Sequence, residues 1–197
     1  MQLFRHVRLG VVLVALSLPI SGCGYNNIPT KQEAAKAAWA DVQNQYQRRA
    51  DLIPNLVNTV QGYAKQEKDV LTSVVEARAK ATSVKIDASD ITDPEKLKQF
   101  SDAQAQLSGA LGRLIAVSEN YPELKSNQNF LALQSQLEGT ENRIAVARRD
   151  YIARVQDFNL TLRTFPDVIW QTLVFHEKPM AEFTATEGSD RPPEVKF

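Results

Sequence analysis

Cysteine is almost missing from this chain: Cys23 is the single one among 197 residues. No disulfide can close within it, so packing alone must hold the fold. Histidine is nearly as rare, represented by His6 and His176. A di-iron or di-manganese carboxylate bundle needs Glu-x-x-His on each of two helices, and the residue three before His176 is Leu173. Zinc finds too few His and Cys ligands to assemble a site. After Gly24 the glycines are only Gly62, Gly109, Gly112, Gly139 and Gly188, which excludes a Gly-rich phosphate loop and a nucleophile elbow. These absences predict a chain with no catalytic residues, no metal and no cofactor, hence not an enzyme. An excess of one charge is lacking too, with 23 basic against 23 acidic residues. That balance argues against nucleic acid and against a polybasic membrane-surface role.

What is present starts at the N-terminus. Arg5, His6 and Arg8 precede an apolar run over 9–20, the layout of an export signal. The run is too short to cross a bilayer, which takes ~20 apolar residues. Leu18-Pro19-Ile20-Ser21-Gly22 then leads directly into Cys23. This stretch resembles the cleavage site of bacterial lipoproteins, in which the cysteine becomes the new N-terminus and carries the acyl chains. The resemblance implies a signal peptide over 1–22 and lipid attachment at Cys23, with several acyl chains giving stable membrane anchoring. Gly24 in place of Asp implies, in a cell with two membranes, the periplasmic face of the outer membrane. Cleavage removes Arg5 and Arg8 and leaves 175 of 197 residues, the size of one domain.

Beyond a tether over 23–30, prolines punctuate stretches that read as helix. Thr30 is placed to cap a first helix over 31–84, kinked at Pro54, whose ring removes one backbone donor. Thr92 and Glu95 have capping-box spacing at the start of a second helix that ends before Tyr121-Pro122. A third spans 127–164 and a short fourth 167–176; from 178 to 197 an extended tail is predicted. Phe130, Leu137, Ile144, Tyr151, Phe158 and Phe165 recur every seven residues, as do Trp39, Tyr46, Ile53, Val60 and Val74 in the first helix. A second row there holds Val42, Leu56, Tyr63, Val70 and Ala77, and the second helix offers Leu97, Phe100, Leu107, Leu111 and Leu114. Such heptad rows are core seams. No strand alternation is evident. The prediction is an all-α, elongated antiparallel bundle over 31–177, three long helices plus a short fourth.

Several long motifs carry a family likeness: Gln45-Tyr46-Gln47-Arg48-Arg49-Ala50-Asp51-Leu52-Ile53-Pro54-Asn55-Leu56-Val57, Gly62-Tyr63-Ala64, Glu76-Ala77-Arg78, Tyr121-Pro122-Glu123-Leu124-Lys125 and the block from Glu138 to Tyr151. Together they resemble the LemA family over most of the chain. That resemblance implies a membrane-anchored, largely helical bundle with no securely attached enzymatic activity, and in some bacteria a link to organelle membranes. Family members most often keep an uncleaved N-terminal membrane helix, where this chain has its lipoprotein-like site.

Helix lengths place the first and third predicted helices parallel, which sets Arg148 and Arg149 beside Glu67. The expectation is an interhelical polar network of Glu67, Glu138, Glu141, Arg148 and Arg149 that fixes register. The same alignment leaves Trp39, Val42 and Tyr46 uncovered by the third helix. The C-terminal tail, a second copy or a partner could cover them, and self-association or partner docking is the preferred expectation. Two roles follow: a lipid-anchored envelope scaffold or adaptor that serves envelope maintenance, or a self-assembling protein that organises membrane.

Overall fold

The computed structural model describes residues 24–183, all helix, turn and short connection. Residues 1–23, where a signal peptide and lipid attachment at Cys23 are expected, and residues 184–197 lie outside the described residues. Four long helices build the bundle: α1 (Asn27–Tyr63), α2 (Lys68–Ser83), α3 (Pro94–Ser118) and, after the single turn α4 (Pro122–Lys125), α5 (Gln128–Thr161). A last turn, α6 (Asp167–Trp170), runs into a wide π-type turn over Gln171–Phe175 that His176 closes in the left-handed region, φ 54°.

The all-α class holds, but the helix count and the sense of packing differ from expectation. α1 begins at Asn27, inside the stretch read as tether, because Pro29 falls in its first turn, where a backbone donor is not needed. It then ends at Tyr63, and four residues turn the chain back so that α2 lies antiparallel on α1. This reversal is hidden in the sequence: the rows Val60–Val74 and Tyr63–Val70 keep their seven-residue period straight across it. Each half of the pattern faces the other half. Only Gly62, a poor helix former, marks the place.

One missed reversal flips the direction of everything after it. α3 therefore runs parallel to α1, and α5 runs antiparallel to α1 along its whole length. Lys31 meets Asp157 at one end, Trp39 meets Tyr151, Arg49 meets Glu141, and Tyr63 meets Asn127 at the other. At ~1.5 Å per residue the 37 residues of α1 make a rod of about 55 Å. The cap of α3 is Asp93 rather than Thr92: its carboxylate accepts from the N–H groups of Glu95 and Lys96. Asn127, where the third predicted helix begins, is the cap of α5, its side chain accepting from the N–H groups of Asn129 and Phe130.

Two apolar clusters fill the rod. One gathers Trp39, Phe100, Tyr151, Phe158, Met180 and Phe183; the other gathers Ile53, Leu56, Leu107, Leu114, Phe130 and Leu137. Between them lies a polar layer.

Candidate functional site: the polar layer and the tail-covered pole

Arg49 is the centre of that layer. Its guanidinium is 1 % exposed and reaches from α1 to two other helices: Nη1 donates to Ser108 Oγ of α3 and to Glu141 Oε1 of α5, both at 2.7 Å, and Nη2 donates to the side-chain and backbone oxygens of Gln104 at 2.7 and 3.2 Å. The Gln104 amide continues the chain of bonds to the Ala81 carbonyl of α2. The Tyr46 ring lies 5.1 Å from the guanidinium carbon, within cation–π range. A buried cation needs this many acceptors, since each unmet one is costly in low dielectric. One group is left over: Arg49 Nε is buried without a partner.

A second arginine mends the helix at Pro54. Pro54 has no N–H, so the Ala50 carbonyl four residues earlier lacks its helical donor. Arg78 Nε, projecting from α2, donates to that carbonyl at 2.7 Å. The proline of one motif and the arginine of another thus form one device, and it ties α2 to α1. Two further cross-links work at the far end: Tyr121 donates to Glu67 Oε1 at 2.8 Å, and the Asn127 amide donates to the Tyr63 hydroxyl at 2.8 Å. The bond to Glu67 raises the Tyr121 pKa, because the hydroxyl proton is held by a carboxylate.

No two of the residues expected to form the polar network, Glu67, Glu138, Glu141, Arg148 and Arg149, are paired with each other. Glu141 is in the layer, paired with Arg49 rather than with its own helix. Glu67 faces Tyr121, at the opposite end of the rod from Arg148. Glu138 accepts from Gln134 on the surface, and Arg149 is exposed. Arg148 lies over the Phe183 ring, 4.4 Å from its centroid. The parallel alignment behind the expected pairing is what failed. Arg49 and Gln104 were missed, yet both had a visible signal. Arg49 occupies the empty slot between Val42 and Leu56 in a heptad row, and Gln104 the empty slot between Leu97 and Leu111.

The stripe of Trp39, Val42 and Tyr46 is corrected as well, for it is buried within the chain. Trp39 is 2 % exposed, packed against Phe100, Tyr151 and Phe183 with ring centroids 5.3 to 5.9 Å apart. Its Nε1 donates to the Ile86 carbonyl at 3.3 Å. Part of the cover is the chain end, the first of the three occupants considered. Asn159 holds the backbone of Met180 from both sides, accepting from its N–H at 2.8 Å and donating to its carbonyl at 2.9 Å. Tyr151 donates to the Ala181 carbonyl at 2.9 Å, and Ala181 N–H donates to Ile91. Nothing in the sequence marked Asn159 for this role. Burial raises the pKa of Tyr151 strongly; Tyr46 is also raised by burial, against the pull of Arg148 and Arg49.

Among the described residues no group of three or more His, Cys, Asp or Glu could hold a metal, and no helix is long and apolar enough to cross a membrane. A surface cleft of about 410 Å³ beside the layer is lined by Arg48, Asp51, Ser135, Thr140 and Arg143 among others. Gly24 has a structural reason of its own: its φ is +102°, and a Cβ there would stand 2.5 Å from Asp167 Oδ1.

The fold and this layer define an all-α bundle protein whose motif arginines tie helix to helix. The LemA family profile matches residues 38–197, and the chain belongs to the LemA family. It is similar to the magnetosome protein MamQ 2 of Paramagnetospirillum magneticum, 26 % identical over 167 residues, which covers 77 % of this chain and 60 % of that relative. MamQ of Magnetospirillum gryphiswaldense is 25 % identical over 184 residues, 80 % of this chain and 66 % of its own. The protein LemA of Metamycoplasma hominis is 24 % identical over 140 residues, 71 % of this chain and 60 % of that relative. This chain thus spans about three fifths to two thirds of these curated relatives.

Proposed function

We propose that this protein is a non-enzymatic envelope lipoprotein, tethered by acyl chains on Cys23, whose bundle serves as a scaffold or adaptor for protein partners in envelope maintenance. One observation carries the reading: the motif residues Arg49, Arg78, Tyr121 and Glu141, together with Glu67, are engaged with one another or with backbone between helices. What remains for work is the outer surface. The lipoprotein-like site before Cys23 supplies the tether, and in a cell with two membranes the protein sits on the periplasmic face of the outer membrane.

A second reading is favoured by the relatives named as magnetosome proteins: bundles that assemble on a membrane and organise it. In-cell crosslinking separates the two. A photoreactive group at exposed Val75 or Val146 captures a distinct protein in the adaptor reading and chiefly other copies in the second. Palmitate labelling lost in Cys23→Ser supports the tether; unlabelled wild-type protein rejects it. Gly24→Asp is a poor test of membrane sorting, because it also collides with Asp167.

A further inference from the structure

Exposed large apolar side chains are not spread evenly over this molecule. Phe165 is 75 % exposed and Leu173 69 %, with Ile169 and Val174 near one half, all within ten residues of one connection. Tyr25 joins this pole, whereas Val75, Leu131 and Val146 are distant from it in sequence, and scattered exposed apolar residues are normal on a protein surface. A concentrated patch of this kind marks an interaction site. Helical rise puts Ile169 and Leu173 one turn apart, and exposed Arg163 and Lys178 flank the patch in sequence.

What lies against the patch is settled by where the chain enters the fold. Gly24 packs on Pro166 and Asp167, at distances that leave no room for a Cβ. The Asn27 amide donates to Asp167 Oδ1 at 3.1 Å, and the Tyr25 ring lies 5.3 Å from Trp170 and 5.2 Å from Phe175. Cys23 is one residue further, ~3.8 Å from Gly24 between Cα atoms. Whatever holds Cys23 at a bilayer brings this pole to the lipid surface.

We propose that the segment from Phe165 to Val174 is a bilayer-docking foot: its apolar side chains enter the interfacial region beside the acylated Cys23, with Arg163 and Lys178 at headgroup level. The foot rests on the lipid tether of the proposed function and adds an orientation to it. A lone tether at Cys23 leaves the rod free to tumble, whereas a second apolar contact fixes which pole faces the membrane. The same contact leaves the Tyr63–Asn127 end, about 50 Å away along α5, pointing outward.

The test uses the full chain extracted from membranes and reconstituted into phosphatidylethanolamine–phosphatidylglycerol vesicles with brominated acyl chains. Phe165→Trp places a reporter in the foot, and Leu131→Trp places one at the far end, both on a Trp170→Phe background so that the foot's native tryptophan does not report while Trp39 stays buried in the core; flotation and fluorescence are read on the same sample. The expected result is loss of emission for the Phe165→Trp reporter only, and recovery of that emission when Ile169→Ser and Leu173→Ser are added while the protein still floats. Floating protein whose Phe165→Trp reporter keeps its emission overturns the foot and leaves the tether standing. Equal loss at both reporters overturns it too. Wild-type protein that neither floats nor carries acyl groups rejects the tether; the foot then stands only if the Phe165→Trp reporter is still quenched by added vesicles.

Discussion

Arg78 should be needed only because Pro54 is there. Replacing Arg78 by Met keeps much of the stem and removes the donor, leaving the carbonyl of Ala50, a residue 3 % exposed, unmet. An unsatisfied buried acceptor costs about 1–3 kcal/mol, so a loss of about 2 kcal/mol is predicted. Pro54→Ala supplies a backbone N–H to the same carbonyl and relieves ring crowding, and is predicted to be neutral to stabilising. In that background Arg78→Met should cost well under about 1 kcal/mol, as for an ordinary surface change. The coupling in this cycle is therefore about 1–2 kcal/mol. Urea unfolding followed by far-ultraviolet circular dichroism, on the chain carrying Cys23→Ser, resolves it, since a slope of about 2 kcal/mol/M turns 2 kcal/mol into a midpoint shift near 1 M. If the two substitutions add within about 0.5 kcal/mol, Arg78 does not replace the missing donor and the reasoning is refuted.

Arg49→Ala should cost about 3–5 kcal/mol by stranding the polar layer, and Arg49→Met less, because the stem volume is kept; equal losses in thermal unfolding would show that the stem volume contributes nothing. Glu141→Gln should be mild, since Glu141 is half exposed and water screens the pair. Tyr151 has a folded pKa raised above the ordinary value of ~10, so the stability it contributes is complete below pH ~10 and declines as pH rises beyond that. Tyr46 acts in the same direction; alkaline unfolding should therefore flatten in part with Tyr151→Phe, and an unchanged slope contradicts the burial argument. Phe183→Ala should cost about 3 kcal/mol and shift Trp39 emission to the red by opening its cover; an unshifted spectrum shows that the tail does not seal the core.

Heptad rows made the all-α class and the main seams of the long helices legible, because burial on a helix imposes its period whatever the partner; Phe165 and Tyr63, read as seam, are instead exposed, and Ile28, Ile86, Ile91 and Phe183 are core residues outside those rows. The reversal after Tyr63 was not legible for the same reason: two segments packed on each other keep one period, so periodicity cannot report a turn between them. From that single turn came the wrong neighbours for Arg148 and the bare appearance of Trp39. Arg49 and Gln104 stood in plain view as charged and polar residues in apolar slots, a signal that points to a layer but not to its partners. The Asn159 clamp on Met180 was beyond reach, since an amide that binds backbone leaves no pattern at the far end of the contact.

Everything proposed for function depends on how Cys23 is held. Mass spectrometry of the N-terminal peptide, from protein isolated out of the membrane fraction, addresses it directly. The account predicts a peptide that starts at Cys23 and carries a diacylglyceryl thioether and an amide-linked acyl chain. A peptide with residues 1–22 still attached, or a free thiol on Cys23 in protein recovered from the soluble fraction, would contradict it.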